Sequence, residues 1–156
     1  MARPVGYYFQ NQDGYFTVMQ GIGNPMLWWF STLAIVLITA ASLLPKIHKK
    51  VNIGNTNYLL LGYFANYVPW LIVKRCLFIY HYMSAAVFSF VALAWVVCQL
   101  IERKDLFRYL GYGIIAIVVL TQIFFMPIWI GLPILPSDFY HRIWFMPDKI
   151  SGFNWI

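Results

Sequence analysis

Charge is what this sequence has least of. Only 11 of its 156 residues are Lys or Arg and five are Asp or Glu, 10% together, where about 25% is usual in soluble chains. A soluble domain this small must cover a large surface for its volume, and so few charges cannot do that. A soluble globular enzyme is thereby excluded. Cysteine is nearly absent: Cys76 and Cys98 are the two present. They fall at opposite ends of one apolar run, roughly 33 Å apart as helix, and cannot bridge each other. A disulfide scaffold is excluded with them. The first 25 residues hold no apolar stretch of the signal-peptide kind, so the expectation is that insertion begins with the first apolar run. No internal repeat or low-complexity linker is found. The five acids, Asp13, Glu102, Asp105, Asp138 and Asp148, form no adjacent carboxylate pair. Neither a phosphate-cradling glycine loop nor a metal-ligand spacing of His and Cys is present. From the residues alone no catalytic machinery and no cofactor is called for.

What fills the chain instead is apolar. Hydrophobic residues make up 62% of it, against roughly 45–50% in ordinary globular domains, and the mean hydropathy is +0.68. Four runs free of Asp, Glu, Lys and Arg cover residues 26–44, 58–73, 76–101 and 109–130. A bilayer core needs about 20 apolar residues as helix. The second run is short but extends back through uncharged residues to Asn52. The expectation is an all-α integral membrane protein, a four-transmembrane-helix bundle. Residues 1–25 form an extracytoplasmic N-terminal segment, residues 26–130 the four-span membrane domain and residues 131–156 an extracytoplasmic interfacial tail. That tail is interrupted by Pro133 and Pro136 and carries Phe139, Tyr140, Trp144, Phe145, Phe153 and Trp155, which suits the membrane surface.

The net charge of +6 invites a nucleic-acid reading, and its placement excludes one. Lys46, Lys49 and Lys50 lie between the first two runs and Lys74 with Arg75 between the next two. Glu102, Arg103, Lys104, Asp105 and Arg108 net one between the last two. The excess therefore sits at the ends of apolar runs, as membrane-flanking charge does. With four spans, the 45–57 and 102–108 loops hold six Lys and Arg and the opposite side five. The positive-inside rule then puts those loops in the cytoplasm and both tails outside.

Lys74 and Arg75 fall on the side the rule disfavours. A cation pressed between apolar spans needs an anionic partner, and Arg75 could grip a lipid phosphate through paired donors. Phe78 and Tyr82 share a helical face with Arg75, and His81 does not. The plainer alternative is that Lys74 and Arg75 snorkel to headgroups while Tyr80 and Tyr82 form an aromatic belt and His81 packs. In or near the second run, Asn57, Asn66 and Pro69-Trp70 suit either a cavity lining or interhelical hydrogen bonds. Ser84, Ala85, Ala86 and Ser89 read as a close-packing face.

Arg3-Pro4, Tyr7-Tyr8 and Gly23-Asn24-Pro25 with Trp28-Trp29 resemble the entry to the C-terminal four-span domain of protein O-mannosyltransferases. Gly62-Tyr63 with Asn66-Tyr67-Val68-Pro69-Trp70 resembles its next span. Arg75, Phe78 and Tyr80-His81-Tyr82 are similar to its most recognisable turn, and Pro127, Gly131, Pro133, Trp144 and Trp155 to its closing segment. The resemblance implies a membrane glycosyltransferase that moves mannose from a polyprenyl-phosphate donor, dolichyl in eukaryotes, to Ser or Thr of exported proteins. It implies a bacterial plasma membrane or endoplasmic reticulum membrane, with the C-terminus extracytoplasmic or lumenal. Lys74, Arg75, Tyr80, His81 and Tyr82 then become candidates for binding the donor phosphate. The family's catalytic acidic pair belongs to an N-terminal membrane half that precedes the region matched here. No catalytic residue is therefore expected in this chain, which alone is expected to be inactive. Two other readings remain open: an accessory lipid-phosphate-binding subunit partnering a separately encoded catalytic half, and a four-span scaffold with no ligand.

Overall fold

The computed structural model describes residues 5–12, 14–21, 23–44, 56–73 and 79–142. In chain order these form β1 (Val5–Gln12), β2 (Tyr15–Gly21), α1 (Pro25–Leu43), α2 (Thr56–Ile72), α3 (Ile79–Glu102), α4 (Phe107–Ile130), β3 (Pro133–Ile134) and α5 (Pro136–Arg142). The four long helices fall on the four apolar runs, with ends within three residues of the expected ones. Three of them, Pro25–Leu43, His81–Glu102 and Phe107–Ile130, are long and apolar enough to cross a membrane. The expected count of four is not reached, because α2 has 17 residues and rises only about 26 Å against a hydrocarbon core of about 30 Å. The stretch back to Asn52 that would lengthen it lies outside the described residues. α2 also carries Asn57, Asn66 and Pro69, which dilute its apolar character.

α3 is the hub, packing against α1, α2 and α4. It can do so because its inward positions are small. Ala85, Ala86, Ser89 and Ala92 are all buried, so neighbouring backbones approach closely, as expected where lipid removes the hydrophobic drive between helices. Ser84, assigned to the same face, is exposed. The core formed there joins Ala34, Ile35 and Ile38 of α1 to Tyr63 of α2 and to Leu93 and Val97 of α3. Glycine serves the same end at two crossings. A Cβ at Gly62 would collide with the Phe88 ring, and one at Gly111 would meet Ile101 Cγ1 at 2.8 Å.

Six hydroxyls inside the helices are satisfied locally. Ser31, Thr32, Thr39, Ser42, Ser89 and Thr121 each donate to a carbonyl three or four residues back, at 2.8–3.0 Å. Asn66 Nδ2 does the same to the Gly62 carbonyl at 2.9 Å, so this asparagine bonds within its own helix rather than across to a neighbour. Outward positions are apolar: Leu33, Val36, Leu37, Leu61, Leu71, Val87, Val91, Ile117, Leu120 and Ile123 are all exposed. Exposed apolar surface on that scale suits lipid and not water.

A three-stranded antiparallel sheet, in the order β1-β2-β3, caps one end of the bundle. The all-α expectation did not include it. β1 and β2 are joined by the two residues 13–14, and Gly14 takes the left-handed φ of +79° that a tight hairpin connection needs. Phe16 and Thr17 of β2 then pair with Ile134 and Pro133. Gly131 makes this return possible. It ends α4 in the left-handed region, φ 69°, while the Gly131 and Leu132 amides both turn back to the Pro127 carbonyl. Val18, Phe125, Ile128, Ile134 and Phe139 form a second core between sheet, α4 and α5. Arg142 pins α5 down, donating from Nε to the Phe124 carbonyl at 2.9 Å with its guanidinium 4.8 Å over the Phe124 ring. At the other end of the bundle, Arg108 Nε donates to the Ile101 and Arg103 carbonyls at 3.1 and 3.2 Å. This closes the C-terminus of α3, whose last carbonyls have no partner within the helix.

Two outcomes follow for the bundle. Gly62→Ala forces the Phe88 ring aside and destabilises the chain by about 1–3 kcal/mol, the usual range for overpacking. The loss, read as thermal unfolding in detergent, is relieved in part when Phe88→Leu is added. Arg108→Ala leaves helix content unchanged by circular dichroism but speeds protease cleavage between residues 103 and 106.

Candidate functional site

The sheet-bearing end of the bundle gathers the polar and aromatic residues that the helices cannot bury elsewhere. Its organiser is Asn24. The Asn24 side chain caps α1, its Oδ1 accepting from the Leu27 amide at 3.1 Å, and Pro25 occupies the first turn, where its missing N–H costs nothing. Its Nδ2 reaches α4, donating to the Val118 carbonyl at 2.9 Å and to Gln122 Oε1 at 3.3 Å. One buried amide thus caps one helix and ties it to another 94 residues away in sequence. Gly23 precedes it with φ +70°, and a Cβ there would meet Trp28 Nε1 at 2.6 Å. Gly-Asn-Pro followed by Trp is therefore one physical unit: turn, cap, helix start and the indole laid against the turn.

Beside this junction lies a cleft of about 490 Å³, lined by residues from β2, α1, α3 and α4. Met19, Leu27, Trp28, Phe90 and Trp129 give it apolar walls, while Gln20, Asn24 and Gln122 contribute amides. Trp129 Nε1 is buried with no hydrogen-bond partner among the described residues, an unmet donor that costs about 1–3 kcal/mol. Among the described residues no Asp, Glu, Lys, Arg or His lines the cleft, and none of them form a group of His, Cys, Asp and Glu able to bind a metal. The lining can therefore bind an uncharged, mainly apolar group. It offers no acid, base or nucleophile.

Trp28 connects the cleft to the start of α3. Its ring lies 5.3 Å from Tyr82, which also meets Tyr67 edge-on at 5.9 Å and Tyr63 at 6.3 Å. Tyr63 and Tyr67 stack at 5.4 Å, and the Tyr63 and Tyr82 hydroxyls are 3.4 Å apart. His81 points a different way and packs edge-on to Trp70 at 4.6 Å. Of the five sequence candidates, Tyr82 is thus drawn into the aromatic cluster that backs the cleft. His81 joins Trp70 at the α2–α3 junction. Tyr80 belongs to the first turn of α3, and its side chain lies outside the described residues, as do Lys74 and Arg75. The cleft residues Gln20, Gln122 and Trp129 were not singled out in the sequence, where nothing local distinguishes them. Asn24 carried a signal, a capping residue directly before Pro25 and an apolar run.

The family model described as the C-terminal four-transmembrane region of protein O-mannosyltransferase matches residues 1–147. Among curated relatives, Protein O-mannosyl-transferase 2 of Danio rerio is 32% identical over 82 residues, covering 44% of this chain and 11% of that protein. Dolichyl-phosphate-mannose–protein mannosyltransferase 1 of Saccharomyces cerevisiae is 23% identical over 152 residues, covering 85% of this chain and 18% of its own length. The chain thus spans less than a fifth of either relative, and no solved structure matches it. With the model running through nearly every residue, from the Gly23-Asn24-Pro25 junction to the sheet-forming return after Gly131, the chain belongs to the protein O-mannosyltransferase family as its C-terminal membrane region.

Proposed function

We propose that this chain serves as the C-terminal membrane part of a glycosyltransferase that moves mannose from a polyprenyl-phosphate donor to Ser or Thr of exported proteins, where it binds the donor lipid and steadies the bundle. The observation that carries this reading is the contact between Tyr82 and Trp28. Tyr82 lies seven residues beyond Arg75, and Trp28 walls the cleft, so the chain following the Lys74-Arg75 pair is in touch with a neutral, largely apolar recess. A polyprenyl phosphate has both parts that such a pairing suits: an anionic phosphate for two cations and an apolar chain for the recess. The relatives' family lends the substrate, since one carries dolichyl-phosphate mannose in its name.

In this reading α2 is the fourth span, and the tails and the 74–82 turn share the extracytoplasmic or lumenal side. The membrane is that of a bacterial cell or the endoplasmic reticulum. Catalysis comes from a partner region. No two of the five acids of this chain are neighbours in sequence, and nothing in the sequence singles out a lone one such as Asp13 as a base. This reading therefore assigns removal of the acceptor hydroxyl's proton to a catalytic half joined to this chain or encoded separately.

Replacing Arg75 with Ala in the enzyme reassembled with its catalytic half weakens polyprenyl-phosphate binding about tenfold, as loss of a charge-assisted hydrogen bond does, with helix content unchanged. Unaltered donor binding and turnover would leave the chain a scaffold. The purified 156-residue chain, given polyprenyl-phosphate mannose and an acceptor peptide, transfers no mannose; radiolabel on the peptide would overturn the division of labour.

A further inference from the structure

The end of the bundle opposite the sheet carries a second cleft, of about 230 Å³, lined by Trp95, Val96, Gln99 and Leu100 of α3, by Arg103 just beyond it and by Phe107 at the start of α4. Positions 96, 99 and 103 follow helical spacing, so they lie along one face. Their chemistry changes in order along that face. Val96 and Trp95 are apolar, Gln99 offers an amide one turn on, and Arg103 offers a guanidinium at the helix end. That is the depth profile of a phospholipid read from acyl chain through ester region to phosphate.

Arg103 is available for such a role and its neighbour is not. The Arg103 guanidinium lies 5.5 Å over the Phe107 ring, which holds it at the mouth of the cleft. Among the described residues it forms no ion pair with Glu102, Asp105 or any other acid. Arg108 is committed to the Ile101 and Arg103 carbonyls. Charge at this end favours an anion. Arg103, Lys104 and Arg108 stand there against Glu102 and Asp105, a net positive charge of the kind that attracts anionic lipid. We infer that this cleft is a binding site for an anionic phospholipid of the surrounding bilayer, with its phosphate on Arg103, its ester region beside Gln99 and one acyl chain along Val96 and Trp95. The site lies at the other end of the bundle from the donor turn and does not depend on the reading given for that turn.

The test uses the full chain purified in neutral detergent, with bound lipid followed by native mass spectrometry. It is titrated with phosphatidylglycerol or with phosphatidylcholine of the same acyl chains. Phosphatidylglycerol is retained in preference, and excess inorganic phosphate does not displace it. Arg103→Ala weakens its retention about fivefold, the effect of one basic residue at a membrane surface. Gln99→Glu, which sets a carboxylate in the ester region one turn from the phosphate without changing side-chain size, weakens it as well, and serves alone should the first variant fail to fold. Equal retention of the two lipids overturns the inference, as does wild-type retention in both variants. Displacement by inorganic phosphate would make the site one for a free anion and would also overturn it.

Discussion

Every long helix of this chain depends on how closely its neighbours can approach α3. In lipid, apolar side chains gain nothing by leaving their surroundings for one another, so helices associate through packing and hydrogen bonds rather than hydrophobic drive. Packing of that kind rewards short side chains at the contact. Ala85, Ala86, Ser89 and Ala92 supply them on α3, Gly62 admits the Phe88 ring from α2, and Gly111 lets α4 lie against Ile101. Large apolar residues such as Leu33, Leu61, Val87 and Leu120 also face outward, where a soluble bundle would carry polar side chains.

The same scarcity of water governs the polar groups. Ser31, Thr39 and Ser89 return their hydroxyls to a carbonyl three or four residues back. Asn24 is the exception that builds something. Its amide leaves its own helix and fastens α1 to α4, and the cleft opens beside that bond. A buried amide shared between two elements is costly to disrupt, because each partner left alone would stay desolvated. The recess is held in shape by that penalty.

The two ends of the bundle differ in chemistry. The sheet end is aromatic and amide-lined, with Tyr82 touching Trp28, Tyr63 and Tyr67 and a cleft that no charged side chain lines among the described residues. The opposite end is basic, with Arg103 standing over an apolar groove.

Hydrophobic run length, charge placement and small-residue spacing are local properties, and the sequence by itself determined what depends on them. The extents of the four helices and the packing face at Ala85, Ala86 and Ser89 were legible. α2 was legible as a helix but not as a span by length. The sheet carried a partial signal, since Asp13-Gly14 between aromatic and β-branched residues is a hairpin pattern. Its third strand, Pro133–Ile134, is two residues long and has no pattern of its own. It exists because Gly131 turns the chain back onto β2, about 115 residues earlier in sequence. The tertiary structure alone decided which residues line the cleft, for Gln20, Asn24, Phe90 and Gln122 share no local motif. It also parted His81 from Tyr82, neighbours in sequence that α3 turns to different sides, one onto Trp70 and the other onto Trp28. Contacts between distant segments are set by how the helices pack, and a single chain's periodicity carries no record of that.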